Sequence, residues 1–360
     1  MNDKSICMVV PSLSSGGAER VVSILTSTLA EQGKKIFLIV HRHAKLEYPV
    51  SGKVNVLYLD DCKCSPVKAV AKIQRLIAVR RYLKKNKIDY VIPFLDSCMK
   101  HTFIASRGLK CAFISTLRNN PYERTHKESR DCDLIAGRAE GNFVQNEEQK
   151  NYFNEKIRKK TFIVPNPVSS IFLAGEKQYS DSIRKMVAIG RLNEQKNYKR
   201  LLTAIGTVRK KYSDIHLKIY GEGNLDSEIR SMIKASGLED TVELMGRTND
   251  VMGVLSENDL FVMSSDYEGM PNALMEAMAF GMPCVSTDCP TGPRALIGND
   301  ERGMLAELDD GASLSDKIID MIEHADSAKI KGQRAKEYMK AHFSDEVIAK
   351  EFYEKCTECH

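Results

Sequence analysis

Short β-branched runs alternate with stretches of helical period along almost the whole chain, and this alternation restricts the fold more than any other feature. Ser5–Val10, Lys35–Val40, Asn55–Leu59, Tyr90–Pro93 and Ala112–Thr116 read as strands, with helix-period segments such as Ala18–Gln32 and Val67–Lys85 between them. The scheme then repeats. Met186–Ile189, His216–Tyr220, Thr241–Met245, Leu260–Met263 and Pro283–Ser286 are strand-like, and Tyr198–Lys211, Leu225–Ser236 and Asn272–Phe280 are helical. Strand and helix in this order give parallel sheets covered by helices on both faces. Two such blocks predict two doubly wound, Rossmann-like α/β domains facing a central cleft. The break falls at Pro165-Asn166-Pro167, where two prolines stop a strand and a polar stretch follows to Ser180. The expected domains are 1–168 and 169–343. Residues 344–360 carry Val347, Ile348, Phe352 and Tyr353 at helical spacing and are expected to form a helix returning to the N-terminal domain.

The chain's 360 residues suit two domains. With 42% hydrophobic and 28% charged residues it is neither disordered nor a disulfide scaffold. Apolar runs such as Ile36–Val40 are far short of the roughly 20 residues that cross a bilayer, and no stretch reads as a signal peptide. A cytoplasmic location is expected. The charge is uneven: residues 1–170 hold 29 basic and 16 acidic side chains, against 24 and 32 in the remainder. Either the first half carries solvated lysine faces, or it meets something anionic. The ten cysteines are scattered. Cys7, Cys111, Cys132 and Cys284 lie in or beside apolar runs, as buried small hydrophobes do. Cys356-x-x-Cys359-His360 matches a haem-attachment pattern, but a lone pair without an export segment favours reduced thiols.

In open α/β sheets ligands bind beyond the carboxyl ends of the strands, so each loop after a strand is a candidate site. Ser14-Ser15-Gly16-Gly17 follows the first strand and opens a helix, where bare backbone N–H groups can meet a ligand or simply make a turn. Gly190-Arg191-Leu192-Asn193-Glu194-Gln195-Lys196-Asn197 follows Met186–Ile189. Its two cations can neutralise a diphosphate, or stand exposed in a turn. Gly221-Glu222-Gly223 begins like a dinucleotide fingerprint but lacks the third glycine, and reads as a tight turn against a ligand or neighbouring loop. After Leu260–Met263 comes the most informative segment. Pro271 suits a first helical turn and Gly281 the position past the end, so a helix spans Pro271–Phe280. Glu268 precedes it. Glu276 lies among Leu274, Met275, Met278 and Ala279, where a carboxylate needs a partner.

Glu268-x7-Glu276 resembles the E-x7-E signature of the retaining GT-B glycosyltransferases, family four. The other pieces stand in that family's order: Gly-Gly-Ala-Glu-Arg after the first strand, Gly190-Arg-Leu-x4-Asn197, Gly-Glu-Gly, then Leu244-Met245-Gly246. Cys289-Pro290-Thr291-Gly292-Pro293 is similar to members that build bacterial surface polysaccharides such as capsule and lipopolysaccharide, or lipid-linked oligosaccharides. The resemblance implies that Arg191 and Lys196 hold the donor diphosphate, that Glu276 holds the ribose and that Glu268 contacts the transferred sugar. It places Gly269, Met270, Pro271, Asn272 and Ala273 beside the sugar and phosphate, Gly246 and Arg247 near the base, Gly190 in the diphosphate loop, and Gly16 and Gly17 over the donor. Many relatives carry a histidine or a short polar motif after the strand ending at Thr116. Here Leu117-Arg118-Asn119-Asn120 stands instead, with His101 and His126 the nearest histidines, so Arg118 and Asn119 become the acceptor-side candidates.

The implied reaction moves a hexosyl or N-acetylhexosaminyl unit from a UDP-sugar to a glycan or polyprenyl-diphosphate-linked acceptor, with retention and without a metal or other cofactor. Asp131-Cys132-Asp133 resembles a metal-binding D-x-D but precedes the strand-like Leu134–Ala136 and reads as a turn and helix-end feature. An epimerase or phosphorylase on the same scaffold is an alternative, because fold does not fix function. A nucleic-acid-binding protein is another, but Tyr82 is the one aromatic among the lysines and arginines of 63–87, and such modules interleave the two. Lys68, Lys72 and Arg75 share one stripe of the Val67–Lys85 helix. They are expected to dock the N-terminal domain peripherally on an anionic membrane surface, the inner face of the plasma membrane.

Overall fold

The computed structural model describes residues 3–14, 16–45, 47–118, 121–123 and 125–359. The chain divides into two compact units, one running to Pro167 and resuming at Asp345, the other spanning Val168–Ser344.

The first unit holds β1 (Ser5–Val10), β2 (Lys35–Val40), β3 (Asn55–Tyr58), β4 (Tyr90–Pro93), β5 (Ala112–Thr116), β6 (Gly141–Val144) and β7 (Thr161–Ile163). They form one parallel sheet in the order β3-β2-β1-β4-β5-β6-β7. Every residue of β1 and β4 is buried, as expected of central strands covered on both faces. The second unit holds β8 (Lys185–Ile189), β9 (His216–Tyr220), β10 (Val242–Gly246), β11 (Leu260–Met263), β12 (Cys284–Thr287) and β13 (Met304–Ala306), in the parallel order β10-β9-β8-β11-β12-β13. Both sheets are doubly wound α/β. Strand order reverses between β1 and β4 in one and between β8 and β11 in the other. Such a switch point opens a crevice at the carboxyl ends of the two strands.

Three strands, β6, β7 and β13, are not legible in the sequence. Each has only three or four residues, too few for an alternation to show, and β6 and β13 are buried throughout. Leu134–Ala136, expected as a strand, lies inside the helix His126–Arg138. Thr125 and Glu128 close a capping box at its start, and Cys132, Ile135 and Ala136 are buried at i, i+3 and i+4. Asp131-Cys-Asp133 is thus mid-helix rather than in a turn or at a helix end, with Asp131 ion-paired to Lys100 at 3.3 Å.

The C-terminal helix, Asp345–Glu358, is part of the first unit. Its buried residues are Ile348, Ala349, Phe352 and Cys356, whereas Val347 is exposed. Phe352 meets the rings of Phe94 and Phe143 with centroids 6.2 and 5.4 Å apart, and the Tyr353 hydroxyl accepts from Lys4 N at 3.0 Å. Gly141 in β6 makes room for this helix, since a Cβ there would overlap Cys359 Sγ. Cys356 and Cys359 are buried, and Cys359 Sγ donates to Lys355 O, so the tail pair is core packing. No helix among the described residues is long and apolar enough to cross a membrane.

Candidate active site

The loops after β8 and β11 flank the switch point of the second sheet, and they carry the predicted cations and carboxylates. They are stitched together. Lys196 Nζ lies 2.6 Å from Glu268 Oε1, and both side chains are largely removed from water, at 17% and 8% exposure. Ser265 Oγ donates to the same carboxylate oxygen at 2.7 Å. Gln195 Nε2 reaches Tyr267 O at 2.9 Å, and Ser264 Oγ donates to Lys196 O at 2.7 Å. Asn197 takes a left-handed conformation (φ 42°), caps the helix Tyr198–Lys211 and gives its amide to the Asp266 carboxylate at 2.9 Å. Arg200 binds Asp266 at 2.6 Å and the Ser264 carbonyl at 3.0 Å. A charge-assisted network of this density fixes both loops before any ligand arrives.

Arg191 differs. Its side chain stands exposed at the head of the same loop, with no hydrogen bond or ion pair among the described residues. Glu276 is buried in the helix Asn272–Phe280, whose other residues from Leu274 onward are buried too. Gly281 ends that helix at φ 87°. The structure therefore joins Lys196 to Glu268, which sequence reading had assigned to separate tasks.

Several glycines around these loops have defined reasons. A Cβ at Gly221 would overlap the Gly190 carbonyl and one at Gly223 the Leu192 carbonyl. Gly-Glu-Gly is thus a turn packed on the Arg191 loop, held by Gly190 N to Tyr220 O and Leu192 N to Glu222 O. Gly246 sits at φ 70° at the end of β10 and accepts from Gly221 N at 2.8 Å, with Arg247 exposed beside it. Thr291 (φ 63°) hydrogen-bonds the Glu268 carbonyl, and Gly292 packs on Pro271 and the Gly269 carbonyl. This loop buttresses the segment Gly269, Met270, Pro271, Asn272 and Ala273.

In the first unit, Gly16 precedes the helix Gly17–Glu31, and the Glu19 carboxylate folds over it so closely that a Cβ would collide. A carboxylate there complements the helix N-terminus. Arg118 follows β5 and is 8% exposed. Its Nη1 donates to Val164 O at 3.2 Å and Asn166 Oδ1 at 3.3 Å, and the guanidinium lies 4.6 Å from the centre of the Phe94 ring. Nε and Nη2 have no hydrogen-bond partner among the described residues. Burial alone pushes the group down to about 9. Asn119 lies outside the described residues.

Residues 176–338 match the family described as glycosyl transferases group 1. An N-acetylgalactosamine-N,N'-diacetylbacillosaminyl-diphospho-undecaprenol 4-alpha-N-acetylgalactosaminyltransferase from Campylobacter jejuni is 29% identical, over 92% of this chain and 93% of its own. An uncharacterized glycosyltransferase from Haemophilus influenzae is 28% identical over 82% and 83%. Anabaena HepE, solved with UDP and glucose, superposes with a TM-score of 0.81 at 16% identity, covering 99% of this chain and 100% of that one. The chain has the GT-B fold, and its second unit matches glycosyl transferases group 1.

The sequence motifs locate the two loops but not their supports. Gln195, Asp266 and Arg200 escape sequence reading because their partners lie about 65 to 75 positions away, whereas Ser265 sits only three positions from Glu268. His41, at the end of β2, also escapes it. Burial, with His101 and Arg75 nearby, pushes it down to about 4, and its Nδ1 lies 3.9 Å from Cys98 Sγ. His101 is pushed down as well, by burial and then Lys72 and Lys100. His126 opens its helix exposed.

Proposed function

We propose that the protein transfers a hexosyl or N-acetylhexosaminyl unit from a UDP-sugar to a lipid-linked glycan of a bacterial surface polysaccharide, with retention. The observation that carries this reading is the buried Lys196–Glu268 pair beside the unpaired, exposed Arg191, in the two loops that flank the switch point. The bond that breaks joins the anomeric carbon to the donor's β-phosphate, and the costly event is departure of a diphosphate. Arg191 supplies a free cation to that developing charge, and Lys196 a second one from a fixed position. Glu268 is held by Lys196, Ser265 and Gln195, so its carboxylate is aimed at a sugar hydroxyl with little reorganisation. Glu276 takes the ribose hydroxyls. Attack from the leaving-group side lets a donor phosphate oxygen accept the acceptor proton, and the bond to the sugar forms on the face just vacated. The two cations do the neutralising that a metal does elsewhere, so the reading needs none.

UDP is favoured as the nucleotide by HepE, solved with UDP, and the lipid-linked acceptor by the Campylobacter relative, whose name states a diphospho-undecaprenol glycan. The acceptor-side cation is Arg118. A guanidinium held this far from water with two unpartnered nitrogens favours an anion. Arg118→Lys keeps the charge but loses the fork, and is expected to raise KM for a diphosphate-linked acceptor several-fold; an unchanged KM removes Arg118 from that role. The reading as a whole is tested by thermal unfolding with UDP-, GDP- and ADP-sugars. Binding to the native state raises the midpoint. A UDP-sugar is expected to give the largest rise, and no rise with any of them refutes it.

A further inference from the structure

The helix Lys68–Lys85 presents to solvent a face that a water-soluble surface does not need. Val67, just before it, is 57% exposed, Val70 42%, Ile73 61% and Ile77 40%. Their spacing of three, three and four places them on one stripe. Arg81, Lys84 and Lys85 continue it toward the C-terminal end, and none of the three has a carboxylate partner among the described residues. The opposite stripe runs Lys68, Lys72, Arg75, Val79, Leu83. Val79 and Leu83 are its buried anchors, and Arg75 is ion-paired to Asp60 at 3.0 Å. The cations that share a stripe in the sequence are exposed themselves but line up with the buried anchors Val79 and Leu83, and the opposite side is apolar first and cationic last. Beside that cationic end lies an open groove of about 610 Å³, floored by Leu57, Cys62, Ala78 and Tyr82, with Arg81, Lys84 and Lys85 along its rim.

We propose that this outward face docks the first unit on an anionic lipid bilayer. Val67, Val70, Ile73 and Ile77 enter the headgroup–acyl boundary, the three cations meet lipid phosphates, and the groove accepts an acyl chain beneath them. An apolar stripe with cations at its edge matches the two components of such a surface, an acyl boundary under a layer of negative charge. A second copy of the chain fits less well, because it brings the same three cations and no carboxylate to the face. The inference deepens the reading of a lipid-linked acceptor and rests on it, since docking would bring the protein to the surface where that acceptor lies.

Co-sedimentation with vesicles tests it. The full chain is expected to pellet with phosphatidylcholine–phosphatidylglycerol vesicles and to stay in solution with phosphatidylcholine alone. Ile73→Glu/Ile77→Glu and Lys84→Ala/Lys85→Ala should each weaken binding about tenfold or more. Lys68→Ala/Lys72→Ala removes as much charge from the other stripe and should cost about threefold at most. The rise in thermal midpoint with a UDP-sugar, read on the same proteins, should be unchanged, which separates failure of docking from failure of the donor reading. Absence of wild-type binding to the anionic vesicles overturns the proposal. So does equal loss from the two lysine pairs, or an Ile73→Glu/Ile77→Glu protein that still pellets but has dissociated from dimer to monomer.

Discussion

Arg191 and Lys196 leave one loop five residues apart and meet opposite conditions. Lys196 is committed to Glu268, 2.6 Å away and mostly buried, while Arg191 is exposed and unpaired among the described residues. Mutation should therefore separate them. Arg191→Ala is expected to lower kcat by about 10²–10³-fold if the guanidinium meets the leaving diphosphate. Its unfolding midpoint should stay put, because no bond is lost on folding; steady-state kinetics beside a denaturant titration checks both halves. His41 gives a prediction in pH. Its folded-state value is pushed down to about 4 from 6.5, so between those two pH values the unfolded chain binds a proton that the folded one does not. Stability contributed by neutral His41 is present above 6.5 and is lost as pH falls toward 4. Urea unfolding at stepped pH should show that decline, and His41→Gln should flatten it.

At the scale of elements, the legible features are those written by local chemistry. Gly281 ends its helix at φ 87°, where a glycine escapes the left-handed penalty, and the helix Tyr198–Lys211 is found over its predicted span. The three short strands stay hidden because three or four residues leave no periodic trace, and Leu134–Ala136 misleads because a brief apolar run suits either state. Gly-Glu-Gly was open between a ligand contact and a loop contact. The structure decides for the loop, because the carbonyls of Gly190 and Leu192 occupy the space of the missing Cβ atoms. Gly223→Ala must push the Arg191 loop outward. It is expected to cost about 1–3 kcal/mol by overpacking, and to weaken UDP-sugar affinity as well. Chemical denaturation and a binding titration measure the two effects, and a neutral result in both would show that the turn yields freely.

For the whole molecule, the last helix matters most, because it carries the chain back to the first unit. Val168 and Ser344 bridge in parallel where the chain enters and leaves the second unit, so only a short path separates Phe343 from the helix that starts at Asp345. That helix fills the first unit's core with Phe352, wedged between Phe94 and Phe143. Phe352→Ala should cost about 3–5 kcal/mol. The loss should fall on the unfolding of the first unit, and hydrogen exchange resolved along the chain can show whether β1 and β4 lose protection while β8 and β11 keep it.

By itself the sequence determined the two α/β blocks, the break at Pro165-Asn166-Pro167 and the loops that bear Arg191, Lys196, Glu268 and Glu276. Strand and helix periods, prolines and glycine turns are encoded by near neighbours, and a reader needs only a short window to see them. Tertiary structure alone decided the pairings: Lys196 with Glu268, Arg200 with Asp266, Thr291 with the Glu268 carbonyl, and a glycine in β6 for the sake of Cys359. It also decided which stripe of the Lys68–Lys85 helix faces out. Those contacts join residues 23 to 218 positions apart. Strand order sets them, and strand order is a property of the assembled sheet that no single segment contains.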